Sequence, residues 1–108
     1  MKFLKYQLNG TCYWQPEING EKYQLKNIRI DKCDFGMMEA TTYQFTSGAQ
    51  FSLYYQDGLS SGLPKGKRFN NGDVIISDNP YIGQRTIKRV ELCVGFDNKI
   101  DHYEIMLN

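Results

Sequence analysis

His102 is the chain's one histidine. Any imidazole acting as general base, nucleophile activator or metal ligand must therefore be this residue. It lies in GFDNKIDHYEI, where a two-residue turn at Asp97-Asn98 would set Cys93 opposite His102, Leu92 opposite Tyr103 and Val90 opposite Ile105. A Cys-His dyad raises the nucleophilicity of its thiol. Two side chains directly opposite on the less apolar face of a hairpin read instead as a packed pair, and no catalytic residue is assigned.

Two groups of carboxylates draw notice: Asp31 with Asp34, and Asp97, Asn98 and Asp101 around the turn. Calcium takes six to eight oxygen ligands, and neither group forms a binding-loop motif; Asp and Asn are ordinary turn residues. Zinc would draw on Cys12, Cys33, Cys93 and His102, which lack the paired spacing of structural sites. No dinucleotide fingerprint or phosphate-binding loop is present. The expectation is a non-enzymatic protein with no metal and no cofactor.

Binding has more to draw on. The stretch DGLSSGLPKGKRFNNG, residues 57–72, is long for a connection in a small domain. Lys65, Lys67 and Arg68 stand there beside Phe69. Three cations and a ring could hold a phosphate backbone and stack a base, yet no second basic run supports them. The competing reading is a solvated loop whose phenylalanine tucks back onto the core. Tyr13, Trp14, Tyr54, Tyr55 and Tyr81 could form a platform for a sugar, and tyrosine equally suits protein interfaces. The favoured partner is a protein, met by Lys65, Lys67, Arg68, Phe69, Tyr13, Tyr54 and Tyr81. A carbohydrate comes second and single-stranded nucleic acid third.

The totals agree with that order. A net charge of +1 gives no field strong enough to gather nucleic acid or an anionic membrane. No segment approaches the ~20 apolar residues of a membrane span, and the interrupted start MKFLKYQLNG lacks a signal-peptide core. Three cysteines without CxxC spacing read as reduced thiols in a cytoplasmic protein.

The elements that must position these residues show a period of two, punctuated by turns. Strands are expected over 2–8, 11–15, 21–31, 37–46, 50–56, 73–77, 86–96 and 99–107. Asn19-Gly20 suits a tight turn that would put Trp14 opposite Leu25, with a bulge near Lys26-Asn27 returning Tyr23, Leu25, Ile28 and Ile30 to one side. A loop of Ser47, Gly48 and Ala49 would match Phe45 with Phe51. Residues 1–108 are thus expected to form one all-β domain of about eight antiparallel strands. A jelly-roll-like sandwich is preferred to a small closed barrel.

Overall fold

The computed structural model describes residues 8–17, 20–32, 49–95 and 97–108. They form six strands: β1 (Gly10–Gln15), β2 (Tyr23–Lys32), β3 (Phe51–Gln56), β4 (Val74–Ile76), β5 (Gln84–Val94) and β6 (Ile100–Leu107). These close into a barrel in the order β1-β2-β3-β6-β5-β4, with every neighbouring pair antiparallel. No helix occurs among the described residues, and none is long and apolar enough to cross a membrane.

The sandwich preference is thereby corrected. Short β4 pairs with β1 on one side and with the start of β5 on the other, so the sheet closes on itself instead of splitting into two separate layers. Six described strands stand where about eight were expected. The expected strand 37–46 lies outside the described residues, as do 2–7 of the first and the proposed match at Phe45.

Alternation explains which side chains fill the barrel. On β1, Cys12 and Trp14 are buried while Thr11 and Tyr13 turn outward. Leu25, Ile28, Leu53, Ile75, Ile87, Ile105 and Leu107 join them in one cluster, all but inaccessible. Each such side chain stabilises the fold by about 1.5–3 kcal/mol.

Register follows the sequence in part. The bulge expected near Lys26-Asn27 is present: Gly10 pairs with Ile28 and Thr11 with Lys26, leaving Asn27 as the extra residue at φ 56°. Leu25 and Ile28 are consequently both buried despite opposite parity. The β1–β2 turn differs from expectation, because its closing hydrogen bond runs from the Gly20 N–H to the Glu17 carbonyl (3.0 Å). Trp14 therefore faces Tyr23, and Cys12 faces Leu25. Moving the turn by one residue slips the register by two, which preserves the inward face.

The chain leaves β3 and crosses one end of the barrel to reach β4. Its first residues run tightly along β2. Lys26 and Ser61 exchange backbone hydrogen bonds of 2.8 and 3.0 Å. The Asn27 side chain donates to the Leu59 carbonyl (3.2 Å). Gly62, at φ 115°, is needed twice over: a Cβ there would lie 2.0 Å from the Gln24 carbonyl oxygen.

The crossing ends at Asp73, which is buried. One carboxylate oxygen accepts from the Trp14 indole N–H (2.9 Å) and from the Asn70 amide (2.9 Å). Replacing Asp73 by Ala leaves a buried indole N–H without an acceptor, and we expect a loss of roughly 1.5–3 kcal/mol in urea unfolding. A second expectation concerns Cys12, whose thiol burial pushes up from 9.0 to about 12. Above pH 9 the unfolded chain releases this proton while the fold retains it. Stability thus falls by about 1.4 kcal/mol per pH unit from that group, up to the folded value. Comparing the unfolding free energy of the wild type and a Cys12→Ala variant at pH 8, 9 and 10 isolates the slope, which the variant should lack.

Candidate functional site

Antiparallel order puts the C-terminal ends of β1, β3 and β5 at one end of the barrel, together with the starts of β2 and β6. The crossing connection covers this end, and its Phe69 is the plug. The ring is 4% exposed. It meets Trp14, Tyr55 and Tyr103 edge-on, at centroid distances of 5.1, 5.6 and 5.4 Å. The Tyr55 hydroxyl accepts from the Leu63 N–H (3.3 Å), fastening the connection a second time.

The hairpin of β5 and β6 continues beyond this plug. Its expected pairs are observed: Val90 with Ile105, Leu92 with Tyr103 and Cys93 with His102. The turn is longer than expected. Gly95 pairs with Lys99 through a 2.9 Å hydrogen bond, and Asn98 adopts φ 61°. That shifts the register by one, and Asp101 is the extra residue that restores it.

Because β4 is only three residues long and pairs with Gln84–Thr86, the far half of β5 stands clear of it. Inward parity no longer means burial there. Ile105 is fully buried, but Leu92 is 55% exposed, Val94 57% and Ile100 38%. Between this apolar wall and the connection lies an open cleft of about 800 Å³, bordered by Lys67, Arg68, Asn70, Leu92, Ile100 and Tyr103. Lys65 borders the adjoining hollow over Trp14 and Pro16. Lys65, Lys67 and Arg68 are all exposed. Among the described residues no carboxylate pairs with any of them. Lys67 stands 5.8 Å from the centre of the Tyr23 ring.

The sequence-selected contact residues are thus dispersed. Lys65, Lys67 and Arg68 gather at the covered end, while Phe69 belongs to the core and offers no exposed ring. Tyr13 and Tyr54 are half-buried on the outer wall, on strands separated by β2. Tyr81, 86% exposed, sits in the β4–β5 connection at the opposite end. The sequence alone does not mark Leu92, Val94 and Ile100 as surface residues, since alternation assigns Leu92 and Val94 to the core.

On the outer wall of the hairpin, Cys93, His102 and Glu104 form one cluster of metal-ligating type among the described residues. His102 is 4% exposed, with Nδ1 2.9 Å from Asp101 Oδ2 and Nε2 3.4 Å from Glu104 Oε1. Burial, then the nearby Glu104 carboxylate, raise the Cys93 thiol above its ordinary value. That is the reverse of activating a nucleophile.

Comparison with known proteins finds no family model that matches the chain, and no match among curated proteins or solved structures.

The burial of Phe69 separates structural from contact residues in the connection. Phe69→Ala should cost about 3–5 kcal/mol in urea unfolding. Lys65→Ala and Arg68→Ala should each stay within about 0.5 kcal/mol of wild type.

Proposed function

We propose that this protein is a non-enzymatic, intracellular binding domain. Its ligand is an extended segment of another protein carrying acidic and apolar side chains. The observation that carries this reading is the adjacency of two surfaces. Leu92, Val94 and Ile100 expose apolar area side by side on the projecting hairpin. Lys67 and Arg68 border one cleft with Leu92 and Ile100, with no carboxylate partner among the described residues. An apolar strip rimmed by cations that no described carboxylate neutralises is complementary to a segment of alternating acidic and apolar residues.

The alternatives lose specific support. Single-stranded nucleic acid needs rings on which bases stack, and the loop's one ring is buried against Trp14. A sugar platform needs neighbouring exposed aromatics, whereas Tyr13, Tyr54 and Tyr81 lie apart around the barrel.

Panning a random peptide display library against the purified domain tests the assignment. Acidic sequences with interleaved leucine or aromatic residues should be enriched. Selected peptides should bind a Lys67→Glu/Arg68→Glu variant about tenfold more weakly, and a Leu92→Ser/Val94→Ser variant likewise. Equal binding by both variants would remove the cleft. Tighter binding of oligothymidylate than of any peptide, falling steeply with salt, would establish a nucleic-acid ligand instead.

A further inference from the structure

We propose that Cys93, His102 and Glu104 bind a divalent cation of borderline softness, zinc above all. The three project from the outer face of the β5–β6 ladder, opposite to Leu92 and Tyr103. Cys93 and His102 are a directly opposed pair, and Glu104 follows His102 by two residues, so it points to the same side. One ligand atom from each, Sγ, a ring nitrogen and a carboxylate oxygen, lies within 4.8 Å of the other two.

The distances leave room for a shared ion. His102 Nε2 and Glu104 Oε1 stand 3.4 Å apart, beyond the usual N–H···O range. Zinc bonds of about 2.0–2.1 Å arranged tetrahedrally space their ligand atoms about 3.3 Å apart. Cys93 and Glu104 are half-buried, and rotation about their side-chain bonds would have to close the remaining gap.

His102 is already oriented for the task. Its Nδ1 meets Asp101 Oδ2 at 2.9 Å. A neutral ring donating there turns the lone pair of Nε2 toward Glu104. Adjacent residues of a regular strand point to opposite faces. Asp101 reaches its neighbour because it is the bulged residue of β6. Gln56 on β3 holds it in turn, its amide donating to the Asp101 carbonyl (3.2 Å) and standing 3.5 Å from the carboxylate.

The donor set selects the metal. A thiolate and a carboxylate supply two negative charges for a dication, and sulfur with imidazole nitrogen favours zinc over calcium or magnesium. Three protein ligands leave a fourth position for water or an incoming side chain. Metal binding displaces the thiol proton to solvent and forms the metal–sulfur bond, with no change of oxidation state.

Cobalt(II) titrated into the chelator-stripped full chain tests the site. One equivalent should produce a thiolate-to-cobalt charge-transfer band with tetrahedral visible absorption, and one equivalent of zinc should abolish both. Cys93→Ser should lose the charge-transfer band while its circular dichroism matches wild type. Asp101→Asn should retain the band but bind about 10–100-fold more weakly. Absence of the band in wild type, or its survival in Cys93→Ser, would overturn the assignment. Should Cys93→Ser fail to fold, alkylation of wild-type Cys93 followed by peptide mass spectrometry decides. Zinc should slow it at least tenfold, and an unchanged rate refutes the site.

Discussion

The Trp14 indole and the Asp73 carboxylate are separated by 59 positions in the chain and by 2.9 Å in space. A buried indole N–H demands an acceptor, and Asp73 supplies one from the end of the crossing connection. The same residue is built into the opposite seam, where its carbonyl accepts the Ile87 N–H (2.8 Å). Its side chain therefore belongs to β1 while its backbone belongs to β5, and β4 begins at the next residue. Closure of the barrel thus draws on a residue tied to both neighbours of β4, beside the pairings that β4 itself makes with β1 and β5.

That double attachment explains the length of the connection. It must run from the end of β3, past β2, to the far side of β1, and it packs as it goes. Ser61 ladders with Lys26, Gly62 passes close to the Gln24 carbonyl, and Phe69 fills the barrel's end. The glycines and cations that suggested a ligand-gripping loop divide into two roles. Gly62 and Phe69 serve the fold, Lys67 and Arg68 border the cleft, and Lys65 borders the hollow beside it.

Local patterns in the chain were legible where neighbours in sequence are neighbours in space. The β5–β6 pairs and the bulge at Asn27 follow from alternation and turn chemistry, because the interacting residues lie within one hairpin. Barrel closure was not legible, since it rests on pairings such as Tyr13 with Ile76 and Phe51 with Leu107, between distant segments. The exposure of Leu92 and Val94 was hidden for a related reason. Parity predicts which way a side chain points, whereas burial also requires something across from it, and the shortness of β4 removes that cover. The pairing of Cys93 with His102 follows from alternation within the hairpin. Glu104 joins them by ordinary strand spacing, but the approach of Asp101 depends on a bulge that a simple two-residue turn at Asp97-Asn98 conceals.

β4 has one further consequence. With three residues it is the narrowest stave of the barrel, attached on each side through three residue pairs. Native proteins open first where the fewest contacts must break. Breathing of this barrel should thus begin along the β1–β4–β5 seam, and amide protons there should exchange with solvent sooner than those of the long β5–β6 ladder. The molecule is accordingly tight along one side and compliant along the other, an asymmetry set by the length of a single strand.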